Sequence, residues 1–139
     1  MIDSGPAFTK DAEGYSKEVY LDSLSYPTHG YGCLLKKRKY NSVKEYHDEL
    51  FMEKYSQAEV DYCALGLDLD DVRRAAVVDL IYNLGGEGFK QFKDTIAALK
   101  MRDWILAATC LENSKWYKQV GRRGPRICKL IKEGRWDVL

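Results

Sequence analysis

Histidine is scarce, with His29 and His47 the only two in 139 residues. The four cysteines, Cys33, Cys63, Cys110 and Cys128, show no Cys-x-x-Cys spacing. These two shortages together argue against a zinc centre, and no metal or cofactor is expected. A phosphate-cradling glycine loop and a Gly-x-Ser-x-Gly elbow are both missing, which removes nucleotide and serine-esterase chemistry from consideration. No run approaches the roughly 18 to 20 apolar residues of a membrane span, so stable membrane insertion is not expected. The opening Met1-Ile2-Asp3-Ser4-Gly5-Pro6 lacks the basic and apolar segments of a signal peptide, and synthesis in the cytoplasm without one is the expectation. Charge of one sign is also lacking: 22 Lys and Arg stand against 21 Asp and Glu, a net charge of +1. That balance gives a dedicated nucleic-acid partner no electrostatic basis.

The basic residues are nonetheless unevenly spread. Lys36, Lys37, Arg38 and Lys39 form one run, and the stretch from Lys115 to Arg135 is dense in Lys and Arg. Each reads either as a solvated charged face or as a contact for an anionic polymer. Cys63, Cys110 and Cys128 lie among apolar residues in helical segments and read as reduced thiols acting as small buried hydrophobes. In an oxidising compartment the four cysteines would allow three disulfide pairings.

What is present suits one α+β domain, mostly helical. Pro6 to Glu13 is predicted as a short helix, with proline in its first turn and Gly14 to terminate it. Glu18 to Asp22 has strand character, Asp22-Ser23-Leu24-Ser25 offers turn chemistry, and Tyr26 to Leu34 returns as an irregular hairpin strand. Gly30 and Gly32 remove two side chains from one face, which fits either a bulge or a groove where a ligand approaches the backbone.

From Ser42 onward the pattern turns helical, with Ser42 and Glu45 spaced as a capping box. Gly66 is read as its stop and Asp70 as the N-cap of a core helix that is apolar almost all round, Asp79 included. Shorter helices are predicted around Gly88 to Gln91, Thr95 to Lys100, Trp104 to Leu111, Lys115 to Gln119 and Pro125 to Gly134. The organisation expected is a small N-terminal β-hairpin lobe, about 14–45, and a long connecting helix, about 43–64. A helical lobe, about 66–139 plus the N-terminal helix, completes it, with a cleft between the lobes.

In the absence of other chemistry, paired carboxylates remain. Glu13 ends a helix, Asp22 lies nine residues on at a turn, and Thr28 lies six further in the returning strand. Acid-catalysed glycoside hydrolysis needs one protonated carboxyl to donate to the leaving oxygen and one ionised carboxylate to activate water or attack the anomeric carbon. On spacing alone, Glu13 can equally be a solvated helix residue and Asp22 a simple turn former.

The stretch Glu13-Gly14-Tyr15-Ser16-Lys17-Glu18-Val19-Tyr20-Leu21-Asp22, continued by Thr28-His29-Gly30-Tyr31-Gly32, resembles the active-site hairpin of T-even type phage lysozymes, glycoside hydrolase family 24. Arg73-Arg74-Ala75, Asn83-Leu84-Gly85 with Gly88 and Phe92, Ser114 to Gln119, Arg126 and Gly134-Arg135-Trp136-Asp137 follow in that family's order. The resemblance covers nearly the whole chain and implies a two-lobed lysozyme-like fold. It implies an inverting muramidase, a bacteriolytic enzyme that cleaves the β-1,4 bond between N-acetylmuramic acid and N-acetylglucosamine in peptidoglycan.

By the same resemblance, Glu13 would be the general acid, Asp22 would activate water and stabilise positive charge on the sugar, and Thr28 would hold that water. Asn83, Tyr31, Gly32 and Phe92 would line the glycan site. Arg123 would be the ionic partner of Glu13, with Arg122 an equal candidate, and Trp116 and Trp136 would be structural. The partner expected is the glycan strand, met by a monomer. Lysis from within requires a holin or other membrane-permeabilising protein for access to the periplasmic wall, whereas a virion tail would carry the enzyme to the wall from outside.

Two departures from the family pattern stand out. Cys33 replaces a histidine, and the segment from Cys33 to Ser42 is about twenty residues shorter than in the best-known members, which removes a short helix from the small lobe. Rival readings are a lytic transglycosylase on a related fold, which needs only one Glu, and a non-catalytic glycan-binding or virion structural module.

Overall fold

The computed structural model describes residues 1–13, 19–29 and 33–139. Helix α1 (Gly5–Glu13) is followed by strands β1 (Val19–Leu21), β2 (Pro27–His29) and β3 (Cys33–Leu34). Then come helices α2 (Val43–Ala64), α3 (Asp71–Leu84), α4 (Gly86–Lys90), α5 (Lys93–Lys100), α6 (Trp104–Glu112), α7 (Lys115–Gln119) and α8 (Arg123–Glu133), and a 3-10 turn at Trp136–Val138. This is the mostly helical α+β organisation expected. The chain divides into two compact units, one of Glu13–Lys54 and one of Met1–Ala12 with Tyr55–Leu139.

In the smaller unit the three strands form an antiparallel sheet in the order β1-β2-β3. Tyr20 lies opposite Thr28 in the first pair, and Thr28 lies opposite Leu34 in the second. The expected single hairpin is thus extended by a third strand, which leaves Thr28 on the central strand, where it is buried. Gly14, Gly30 and Gly32, on which the helix stop and the ligand groove were expected, lie outside the described residues.

Ser42 caps α2 by accepting a hydrogen bond from Glu45 N at 3.0 Å, as the sequence suggests. The return bond of a capping box would reach Ser42 N. Here the Glu45 carboxylate takes Asn41 N instead, at 3.0 Å. The basic run folds back on the acidic side of this helix. Lys36 pairs with Glu53 at 2.6 Å and Glu49 at 3.6 Å, Arg38 pairs with Glu49 and Glu45, and the buried Tyr40 donates its hydroxyl to Glu49. Lys37, Arg38 and Lys39 of the run are exposed, and Lys36 is half-buried.

The core of the larger unit is α3, where every residue from Ala75 to Ile81 is buried. Asp70 caps its start by accepting from Arg73 N at 3.2 Å. Helix α8 packs against it, with Ile127, Leu130 and Ile131 buried, and Phe8 of α1 is buried as well. Ala107, Ala108 and Leu111 extend the same core from α6. Arg73 closes the C-terminus of α8: its guanidinium donates to Ile131 O at 2.6 Å and Lys132 O at 3.0 Å and lies over the Trp104 ring at 4.2 Å. Gly134 ends the helix with φ +67, and a Cβ there would stand 2.5 Å from that guanidinium. The left-handed φ is what favours glycine there.

Trp116 is buried, and Trp136 packs on Phe8 with ring centroids 6.2 Å apart, so both tryptophans are structural. The cysteines differ from expectation. Cys128 is buried, but Cys110 is only half-buried and Cys63 is exposed, all three as free thiols. Cys63 lies in the last turn of α2, where local apolar composition says little about which way a side chain faces. Among the described residues, no helix is long and apolar enough to cross a membrane.

Candidate functional site

Asp22 follows β1 directly and opens the turn to β2. One carboxylate oxygen, Oδ1, accepts from Leu24 N at 3.0 Å and from Tyr26 N at 2.9 Å, while the backbone N–H of Asp22 donates to Tyr26 O at 2.9 Å. This is the aspartate turn chemistry read from the sequence, and it locks the side chain to its own loop. Ser25 takes the left-handed position of the turn with φ 70. Thr28 is held in the same way from the returning strand, its hydroxyl donating to Tyr26 O at 3.0 Å. The backbone of Tyr26 therefore anchors both side chains, one through its N–H and one through its carbonyl.

Glu13 is the last residue of α1 and is exposed. It stands four residues after the buried Thr9, and a spacing of four places both on one side of a helix. His29 and Cys33 face each other across β2 and β3 as backbone partners.

Of the four residues expected to line the glycan site, Tyr31 and Gly32 lie outside the described residues. Asn83, near the end of α3, accepts a hydrogen bond at Oδ1 from Trp116 Nε1 at 2.8 Å. Indole can only donate, so this bond fixes the amide orientation and points the NH₂ of Asn83 elsewhere. Phe92 stacks on Phe89 with centroids 6.0 Å apart and lines an open cavity of about 430 Å³ together with Thr95, Cys110 and Ser114. Asn83 lines a different, polar cavity of about 340 Å³, beside Asp11, Gln119, Arg122, Arg123 and Arg126. The structure therefore assigns Asn83 and Phe92 to separate recesses.

Arg123 makes a bidentate pair with Asp79: Nε to Oδ2 at 2.9 Å and Nη2 to Oδ1 at 2.9 Å. Asp79 is fully buried and also accepts from Thr9 Oγ1 at 2.6 Å. In the sequence Asp79 falls within the apolar face of α3. A lone acid in the middle of a buried helix face was the available signal, because a carboxylate is almost never buried without a partner. Thr9 was missed as well, and it completes the set: α1, α3 and α8 meet on one carboxylate.

Asp11, one turn from Phe8, accepts from Arg126 at 2.8 Å and lies 3.4 Å from Arg122, both at Oδ2. The hydrogen bond from Arg126 holds the Asp11 carboxyl below its usual range, and the charges of Arg126 and Arg122 add to the effect. Cys128 Sγ lies 3.8 Å from Ala108 O, and burial pushes its thiol up to about 12. A thiol that stays protonated is no nucleophile. Among the described residues, no group of three or more His, Cys, Asp or Glu could hold a metal ion.

Similar proteins include two described as T4-type lysozymes. A probable T4-type lysozyme 2 from Dictyostelium discoideum is 24% identical over 164 aligned positions that cover 96% of each chain. A probable T4-type lysozyme 1 from the same organism is 27% identical over 67 residues, a match spanning 48% of this chain and 39% of that protein. The phage lysozyme family model matches residues 10–132, a span that takes in Glu13, Asp22, Thr28, Asn83 and the Asp79–Arg123 pair. A match over most of the length, in a helical α+β fold with an aspartate-anchored hairpin, makes this chain a member of the phage lysozyme family.

Proposed function

We propose that, within this family of peptidoglycan-directed glycoside hydrolases, the chain is an inverting muramidase that uses Glu13, Asp22 and Thr28. Its bond is the β-1,4 linkage between N-acetylmuramic acid and N-acetylglucosamine. The observation that carries the reading is the shared Tyr26 anchor. Asp22 spends one oxygen on its own turn, and Thr28 is fixed two residues from the same peptide. Such an arrangement suits a carboxylate and a hydroxyl that hold one water in a constant position.

Glu13 is the general acid and protonates the leaving oxygen. Asp22 removes a proton from the attacking water and stabilises positive charge at the anomeric carbon, and Thr28 orients that water. Inversion calls for carboxyl groups roughly 6.5 to 9.5 Å apart, wide enough to admit the water. Asn83, Tyr31, Gly32 and Phe92 contact the glycan. Arg123 serves as the ionic partner of Glu13. The protein is made in the cytoplasm and reaches the periplasmic wall either through a lesion made by a separate permeabilising protein or as part of a virion.

The test is digestion of purified peptidoglycan in oxygen-18 water by the wild type and by Glu13→Gln, with products read by mass spectrometry. Heavy oxygen at new reducing ends, with the wild type only, is the expected result. Anhydro ends would replace the hydrolase by a lytic transglycosylase, and no cleavage by the wild type would make the chain a binding or structural module.

A further inference from the structure

The two basic stretches of the sequence meet different fates. In the first, Lys36 and Arg38 pair with glutamates of α2. The second, from Lys115 to Arg135, belongs to α7, α8 and the turn after them, and no step above uses its outer surface. Charge is concentrated there. Residues 113–139 carry eight Lys and Arg against Glu133 and Asp137, while residues 1–112 carry 14 against 19 acids, so the net charge of +1 conceals a strongly basic segment.

Packing turns that segment into a face. Helix α7 lies on α8, with Gly124 so close to Tyr117 that a Cβ would stand 2.8 Å from the ring. Ile127, Leu130 and Ile131 turn into the core, which leaves Lys129 and Lys132 on the outer side of α8. Trp116 is the buried residue of α7, and Lys115 and Lys118 on either side of it are exposed.

Some of these cations are answered. Arg122 and Arg126 meet Asp11, Lys132 meets Glu112, and Arg135 meets Glu133 and Asp137. Among the described residues, Lys115, Lys118 and Lys129 meet no carboxylate. With the Arg123–Asp79 pair set aside, seven cations of this segment face four acids.

We propose that the outer face of α7 and α8 is a docking surface for an anionic, phosphodiester-linked polymer of the bacterial cell wall, held by Lys115, Lys118 and Lys129. A lysine ammonium is a compact point charge that suits single phosphates along a flexible chain, where no fork geometry is demanded. Lipid is a poorer fit, because anchoring in a membrane surface needs apolar side chains to bury. Among the described residues, no large apolar side chain is exposed between residues 107 and 138. Single-stranded nucleic acid is a poorer fit as well, since Trp116 is buried and Tyr117 lies against Gly124, so neither ring is offered to bases. The choice of a wall polymer rests on the muramidase reading, for which such docking keeps the enzyme on its insoluble substrate.

The experiment is a titration of labelled poly(glycerol phosphate) with the full chain, read by fluorescence anisotropy at rising salt. Phosphatidylglycerol vesicles and single-stranded DNA, at matched phosphate concentration, are the rival probes. Binding that weakens with salt is expected. The triple substitution Lys115→Gln, Lys118→Gln and Lys129→Gln should weaken it about tenfold, the size of three exposed ion pairs. A second triple, Lys37→Gln, Lys39→Gln and Lys100→Gln, removes the same net charge from exposed positions elsewhere and should change the affinity by less than about twofold.

The inference is overturned if the polymer does not bind, if both triples weaken binding equally, or if vesicles or DNA bind at least as tightly as the polymer. No hydrolysis enters this titration. Hydrolysis in the oxygen-18 digest without polymer binding would remove the docking surface alone, and polymer binding without hydrolysis would remove the muramidase reading alone.

Discussion

Asp79 and Arg123 form a bidentate ion pair in which the carboxylate is fully buried and the guanidinium side chain is 10% exposed. Thr9 completes it from α1, so a single carboxylate ties together the helix that carries Glu13, the central α3 and the start of α8. Removing one partner from such a pair leaves a buried, uncompensated charge. Asp79→Ala is expected to cost about 3 to 5 kcal/mol and to be read as a lower midpoint in urea unfolding. Replacing both partners by leucine should restore most of the loss, since neither charge is then stranded.

Asp22 separates charge from architecture. Asn at this position keeps an Oδ1 that can accept from Leu24 N and Tyr26 N, so Asp22→Asn retains the turn and removes only the negative charge. Turnover on peptidoglycan should fall by at least about 100-fold, within the range typical of a lost general base, with KM little changed. Equal losses in kcat and in glycan binding would make Asp22 a folding or binding residue.

Trp116 fixes Asn83 through one hydrogen bond between a buried indole and a side-chain amide. Trp116→Phe keeps most of the buried area and deletes that bond. The expected cost is about 1 kcal/mol in stability, together with a higher KM if Asn83 is held in place for the glycan. Thermal unfolding and steady-state kinetics on the same variant check both.

Acid should loosen the protein at two places. Asp11 is depressed by its bond from Arg126, and Glu49 is depressed by its bond from Tyr40, with the charges of Arg38 and Lys36 adding. A carboxylate whose folded value is depressed stabilises the fold above its unfolded value, and that contribution is lost as pH falls through and below about 4. Raising the pH through that range therefore restores stability. Urea midpoints from pH 3 to pH 6 should rise less steeply in Asp11→Asn and in Glu49→Gln than in the wild type.

The free thiols should react in the order of their exposure. Cys63 is exposed and Cys128 is buried with a thiol pushed up to about 12. A thiol reagent at neutral pH should label Cys63 at once and reach Cys128 only when the protein unfolds. Fast labelling of Cys128 in the native protein would contradict the packing of α8 on α6.

Helix boundaries were largely legible because capping is local. Ser42, Asp70 and Ser114 each accept from the backbone N–H three residues on, and α7 spans the residues expected of it. The return of Lys36 and Arg38 onto Glu49 was not legible, because it joins residues 13 and 11 positions apart, whereas the third strand pairs near neighbours and was hidden within a stretch read as one irregular strand. Cys63 shows the same limit on a helix: composition marks a segment as apolar, but only packing selects the face.

The sequence by itself determined the elements, the turn at Asp22 and the spacing of Glu13, Asp22 and Thr28, since these depend on backbone preferences within a few residues. Tertiary structure alone decided that Arg123 pairs with Asp79, that Arg122 and Arg126 share Asp11, and that Asn83 turns its carbonyl to Trp116. Those pairings join residues 33 to 115 positions apart. Charge on a side chain is visible in sequence, but which opposite charge it meets is set by how the helices pack, and a buried ion is tolerated only where packing supplies its partner.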